Sequence, residues 1–290
     1  MMLVALGVAA VAYHYFQKLT TPLHPDSQES VVFELREGML GSDVSRALVE
    51  QGLIADEFSF RMLLRFHPRG RDLKIGAFAL KPSRPPLGLF DDLLEGKPLT
   101  RKATFPEGLL IPEMAAIAKK ASLLKDAGKF VKMARTQGKD YGEVFPANME
   151  GYLLPDTYEF PYHCDEAVVL QRFADEFRGR VLPLWEKKKA KSPLKDLREV
   201  VVLASLVERE AQVDGERGLI AGVYINRLKL GMRLECDATV QFALGKTKPV
   251  LLFVDLEVDS PYNTYKYTGL PPGPIANPGL RSLEAAMAPT

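Results

Sequence analysis

Apolar and polar residues alternate from Val31 to Gly38 (VVFELREG), the period of a strand with one buried face. The period then lengthens. Val44, Ala47 and Leu48 recur at helical spacing behind Ser42, read as the helix cap, until Gly52 stops the run. A second helix is predicted from Asp56 to His67, KIGAFAL (Lys74 to Leu80) returns as a strand, and Pro82, Pro85 and Pro86 close the unit. The order is strand, helix, helix, strand. Seventy positions after Glu37-Gly38 stands Glu107-Gly108, and the register holds for Leu40 with Leu110, Asp43 with Glu113, Val44 with Met114 and Ala47 with Ile117. A second partial copy is therefore expected, and a small repeated α+β unit is more naturally a recognition surface than a catalytic one.

Helical periods dominate the rest. Glu166 to Ala190 reads as a helix whose basic end, EKKKAK (Glu186 to Lys191), is a solvated face. Leu194 to Gln212 contains the unbroken apolar stretch Val200 to Ala204, which places this helix in the core. Gly218 to Leu230 follows as another helix, and from Asp259 onward Pro, Gly and Tyr are too dense for a regular element. The predicted class is α+β with a mostly helical larger domain. At the other end, Met1 to Phe16 carries no charge. Residues 1–20 read as a membrane anchor and residues 21–30 as a linker, with a signal peptide cleaved at Ala10-Val11-Ala12, or a buried helix, as the rival readings. Lys18, the only basic residue nearby, does not orient the segment.

Composition narrows the chemistry. With 290 residues, 47% hydrophobic and 26% charged, the chain is core-forming and of a size for about two domains. The 38 basic and 37 acidic residues leave a formal charge of +1, so no overall field favours nucleic acid and any partner is recognised by a local site. Cys164 and Cys236 are too few for a disulfide scaffold, and the four histidines lie apart without zinc-type spacing. Neither a metal nor a cofactor is expected. Gly245-Lys246-Thr247 resembles the tail of a phosphate loop, but Val240 stands where its first Gly belongs, and there is no G-x-S-x-G elbow. Carboxylates and hydroxyls remain. Glu208 follows Val200 to Val207, in which only Ser205 is polar, so in a central helix its carboxyl is desolvated, and desolvation raises a carboxyl pKa toward the range of a general acid. Glu210 lies about 200° further round the helix and cannot face the same cleft. The alternative is a helix end that emerges into solvent with Glu208, Arg209 and Glu210 all solvated.

Five motifs occur in order: EGYLLPDTY (Glu150 to Tyr158), ASLVERE (Ala204 to Glu210), YINRL (Tyr224 to Leu228), MRLECDATV (Met232 to Val240) and YNTYKYTGLPPGPIANPG (Tyr262 to Gly279). Together they resemble the endolytic murein transglycosylase family, also called YceG-like, from about Val31 onward. The resemblance implies a LysM-like region over residues 31–100 that binds N-acetylated glycans and a catalytic domain over residues 101–290. It also implies a lyase that cleaves the β-1,4 bond between N-acetylmuramic acid and N-acetylglucosamine within peptidoglycan strands. Glu208 matches the family's catalytic glutamate, the muramic acid 6-hydroxyl closes on the anomeric carbon to leave a 1,6-anhydro end, and nascent strand length is limited. Such an intramolecular nucleophile replaces the second carboxylate of ordinary glycosidases. Asn226, Tyr262, Asn263 and Tyr265 are expected to hold sugar rings, and Glu150 and Asp156 to fix a turn before Tyr158. Glu150 or Asp237 would be the second carboxylate of a water-using muramidase; a non-catalytic glycan-binding scaffold is the other alternative. The resemblance further implies an inner-membrane protein facing the periplasm, with peptidoglycan synthases of the penicillin-binding class as partners. The family normally has a further segment beyond Pro289-Thr290, so the chain reads as truncated. Cys236 departs from the family pattern, and pairing with Cys164 is one outcome in an oxidising periplasm.

Overall fold

In the computed structural model, which describes residues 2–290, the strand-helix-helix-strand order is realised by β1 (Val31–Leu35), α2 (Gly41–Glu50), α3 (Glu57–Phe66) and β2 (Gly76–Leu80). β1 and β2 pair antiparallel, with Val31 opposite Leu80 and Leu35 opposite Gly76. Alternation puts Phe33 and Leu35 inward, and they pack with Val44, Leu48, Phe60 and Phe78 in one core. The helix cap differs from the expectation. α2 begins behind Leu40, because the Asp43 carboxylate accepts the Leu40 N–H at 3.0 Å and satisfies that end without Ser42. The prolines also act otherwise than predicted: Pro86 opens α4 (Pro86–Glu95), since a first-turn residue needs no N–H partner.

A second copy follows with helices displaced by 70 positions, α5 (Ile111–Lys120) and α6 (Ala127–Thr136), between β3 (Thr100–Thr104) and β4 (Thr157–Pro161). The details recur. Glu113 accepts the Leu110 N–H at 2.8 Å as Asp43 does for Leu40, and Asp126 caps α6 as Asp56 caps α3. Phe60 and Phe130 are both fully buried, as are Leu53 and Leu123. Gly52 leaves α2 in the left-handed region, and Ser122 adopts the same positive φ at the equivalent position. In the second pair of strands the Phe105 N–H donates to the Asp156 carbonyl and the Tyr162 N–H to the Leu99 carbonyl, a constant register that makes the pair antiparallel.

By its contacts the chain divides into residues 1–101 with 160–163, and residues 102–159 with 164–290. In the first unit, α1 (Met2–Thr20) forms as a helix, but among the described residues no helix is long and apolar enough to cross a membrane. The anchor expected over residues 1–20 is not supported; Met1 itself lies outside the described residues. The apolar run is interrupted by His14, Gln17 and Lys18, and its last turns pack on α3: Lys18 Nζ lies 3.0 Å from Asp56, and the Tyr15 ring lies 5.3 Å from that of Phe58.

The larger unit is built round α8 (Leu197–Glu210), whose residues Val200 to Val207 are all buried. It packs against α9 (Arg217–Lys229), α10 (Asp237–Leu244) and α12 (Leu280–Met287), with α7 (Glu166–Lys188) beside α12 and the short α11 (Phe253–Leu256) beside α10. Ser205, the only polar side chain in the α8 core, donates to the Val202 carbonyl at 2.7 Å and accepts the Ile275 N–H at 3.0 Å, which fastens the C-terminal loop to the helix. Neither cysteine is in a disulfide. Cys236 is buried with its thiol directed to Glu210, and Cys164 donates to the Leu123 carbonyl, so the disulfide considered from sequence is not formed.

Candidate functional site

α8 carries Glu208 to its last turn, where the helix leaves the core. The Glu208 side chain is 5% exposed, so the helix end does not emerge into solvent here. One carboxyl oxygen accepts the Gly279 N–H at 2.9 Å and the other a guanidinium N–H of Arg217 at 3.3 Å. Arg217, the first residue of α9, is itself only 11% exposed; it also lies 3.6 Å from the Glu107 carboxylate and donates from Nε to Ser282 at 3.1 Å. Two carboxylates thus share one buried cation, the buried Glu208 and the largely exposed Glu107, and the pairing offsets the cost of burying Glu208 and Arg217. Glu210 points elsewhere, to Cys236, as the helical angle requires. The Glu107-Gly108 turn of the second copy reaches this acid. A Cβ built on Gly108 would lie 3.8 Å from Glu208 Cγ, and Gly108 has φ +78°, a conformation in which glycine carries no penalty. The turn of the second copy is therefore part of the Glu208 surroundings.

Asn277 joins this acid to a second one. It is fully buried, and its side chain uses its whole hydrogen-bonding capacity. Oδ1 accepts the Gly151 and Leu153 N–H groups at 2.9 and 3.0 Å, and Nδ2 donates to the Leu109 carbonyl and to Glu150, each at 2.9 Å. The tripeptide Asn277-Pro278-Gly279 therefore holds Glu150 by its first residue and Glu208 by its last. Glu150 is buried and also accepts the Ile111 N–H at 3.1 Å. Burial pushes its carboxyl up to about 7 against the opposing effect of those donors and of Arg135. Gly151 beside it has φ +86°, and any Cβ there would lie 2.5 Å from Pro274 and 2.8 Å from Val201, so only glycine fits.

A cavity of about 490 Å³ opens at Glu150, with Tyr262, Tyr152, Arg198, Phe242 and Asn148 in its wall. The half-buried Tyr262 ring packs on Phe242 with centroids 4.7 Å apart. A second cavity of about 520 Å³ runs along Gly108, Arg209, Lys246 and Ile275, and the two share Arg135 and Phe242.

The sequence-predicted residues thus fall into three groups. Glu208, Glu150 and Tyr262 stand at the bridged acids and the adjoining cavity. Asn263 does not: fully buried, it donates to the Leu256 and Val258 carbonyls at 2.8 Å and accepts the Tyr265 N–H, so three of its four hydrogen-bonding positions shape its own loop. Tyr265 donates to Asp237 at 2.6 Å, which pairs two expected ligands with each other, and Asn226 is exposed on α9, outside the hydrogen bonds that hold Glu150 and Glu208. Glu150 does not fix the turn expected of it; Asp156 does, through the Thr157 N–H at 2.6 Å and an ion pair with Arg180. Arg217, Asn277 and Gly279 were not singled out, and Glu107 was noted only as a marker of the repeat. Asn277 and Gly279 lie inside the last quoted motif, whereas nothing local marks Arg217. Among the described residues no three His, Cys, Asp or Glu side chains converge to hold a metal.

The model of the YceG-like family matches residues 33–290. The endolytic murein transglycosylase of Bacillus subtilis is 32% identical over 96% of this chain and 81% of that protein. The protein of the same name from Streptococcus pneumoniae serotype 2 is 27% identical over 96% of this chain, which spans 56% of its length. A crystal structure of a YceG-like protein from Listeria monocytogenes superposes with a TM-score of 0.54 at 30% identity and 91% coverage of both chains. With its α+β architecture matched and three of its five motifs meeting at one bridged pair of acids, the chain belongs to the YceG-like family.

Proposed function

We propose that this chain is an endolytic lytic transglycosylase of peptidoglycan, with Glu208 as its acid and base. The observation that carries the reading is the Glu208 carboxyl, nearly buried at the end of α8 and held through both oxygens by Gly279 and Arg217. In the proposed reaction Glu208 gives its proton to the bridging oxygen between N-acetylmuramic acid and N-acetylglucosamine. The bond from that oxygen to the anomeric carbon breaks. The carboxylate that remains keeps its bonds to Arg217 and the Gly279 N–H, then takes the proton of the muramic acid 6-hydroxyl as that oxygen bonds to the anomeric carbon. No water is consumed, and the product carries a 1,6-anhydro end. Holding the hydroxyl next to the reacting carbon supplies the advantage of an intramolecular nucleophile. Tyr262 suits stacking against a sugar ring in the cavity beside Glu150.

A hydrolytic reading has one observation in its favour, the buried Glu150 carboxyl tied to the same tripeptide as Glu208. Product mass separates the two. Incubation with uncrosslinked glycan strands is expected to give new ends lighter than hydrolytic ends by one water, and ends of hydrolytic mass would refute the non-hydrolytic step. Glycan binding without cleavage would leave the scaffold reading. The proposal extends to an extracytoplasmic site of action, a LysM-like role for residues 31–100, control of nascent strand length and work beside a peptidoglycan synthase.

A further inference from the structure

The cavity along Gly108 has a charge balance unlike that of the chain. Its wall carries Arg135, Arg209 and Lys246 against a single carboxylate, Glu113, while the whole sequence is nearly neutral. Glu113 is already engaged, accepting the Leu110 N–H at 2.8 Å. None of the three cations has a carboxylate at ion-pair distance among the described residues, although many arginines elsewhere are paired, as Arg180 is with Asp156 and Glu176. Arg209, in the cavity wall, spends one N–H on the Gly108 carbonyl at 3.3 Å, a single bond out of five donors. Arg135 continues the positive wall into the neighbouring cavity, where Arg198 is likewise without a carboxylate and donates to the Pro272 carbonyl at 2.6 Å. Phe242 and Ile275 add apolar surface. Unpaired guanidinium and ammonium groups round a partly apolar concavity of about 520 Å³ fit an organic acid, bound through charge-assisted hydrogen bonds with its carbon chain on the apolar patches.

We propose that this basic cavity is a subsite for carboxylates carried by the muramic acid side of the strand. The N-acetylated sugar rings themselves are neutral, so the charge sits on the lactyl substituent or on a peptide attached to it. The identity of the carrier rests on the proposed function; the charge preference rests on the cavity alone. Glu208 itself does not line this cavity, but Gly108 and Arg209 do, and Gly108 packs against both Arg209 and Glu208, which ties the cavity wall to the proposed acid. The enzyme then selects strands by substituents as well as by sugars.

The test uses the full chain carrying Glu208→Gln, so that binding is read without cleavage. Three tetrasaccharides are titrated: one with stem peptides, one peptide-free with free lactyl carboxylates, and one with its lactyl groups amidated to a neutral form. The expected order is tighter binding of one or both charged forms, with salt weakening those alone. Arg135→Gln with Lys246→Gln is expected to remove about tenfold in affinity for each lost charged contact from the charged ligands and nothing from the neutral one. Preference for the peptide-bearing form locates the carboxylate on the peptide, preference for the peptide-free form locates it on the lactyl group, whose carboxyl is there not consumed in an amide bond, and equal binding of the two shows that the subsite accepts either. Equal binding of all three ligands, or an equal loss for the neutral one in the double variant, overturns the proposal. Charge-selective binding by a chain that cleaves nothing without the Glu208 change leaves the subsite standing and removes the activity.

Discussion

Glu150→Gln isolates the cost of ionising a buried carboxyl. In the folded chain burial raises the Glu150 carboxyl from 4.5 to about 7. The native state therefore keeps a proton between those values that the unfolded chain has already lost. Stability due to this group is complete below about pH 4.5 and is lost as pH rises through 7. The difference corresponds to about 3 kcal/mol, at 1.36 kcal/mol per pKa unit. Glutamine keeps an oxygen that accepts from Ile111 and Asn277 but does not titrate, so the other ionisations cancel when variant and parent are compared at each pH. Thermal unfolding of both is measured from pH 4.5 to 8. Relative to the parent, the variant is expected to gain steadily over that range, by several degrees at about 2–4 °C per kcal/mol. Parallel curves would refute the reasoning, because they would mean that Glu150 ionises as readily folded as unfolded.

Glu166 behaves oppositely. Burial raises its carboxyl, but the Asp126 and Lys125 N–H groups at 2.7 and 2.8 Å and Lys129 at 3.1 Å outweigh that and hold it at about 2. Its contribution is present above about pH 4.5 and is lost as pH falls toward 2, so acid unfolding should shift to lower pH in the parent than in Glu166→Gln, and superposed acid transitions would argue against it. Gly151→Ala combines a left-handed backbone with overlap against Pro274 and Val201, and is expected to cost several kcal/mol in urea unfolding; a loss below about 1 kcal/mol would show that the turn relaxes freely.

What the sequence showed depended on how local the signal was. The first unit was legible because Phe33, Leu35, Val44 and Leu48 follow strand and helix periods. The repeat was legible because each copy needs the same left-handed residue before its helix and an acid three positions past Leu40 or Leu110. Glu208 was visible for a similar reason, as the first charge after an unbroken apolar stretch. The errors arose where a residue has two uses. Pro86 breaks one pattern yet opens a helix, and the uncharged N-terminal run lies against Phe58 through Tyr15. Asn263 and Asn277 sit in one motif as equals; only the tertiary fold turns one onto its own loop and the other onto Glu150. Arg217 reaches Glu208 from the next helix, and Gly279 does so from 71 positions away.

Cleavage of uncrosslinked glycan strands by the parent chain and by Glu208→Gln, each shown by its thermal transition to be folded, tests the central claim most directly. The parent is expected to yield fragments with 1,6-anhydro ends. The variant retains an acceptor for the Gly279 N–H but has no proton to give, and is expected to yield none. Fragments released by the folded variant at the parent's rate would contradict the assignment of Glu208 as the acid.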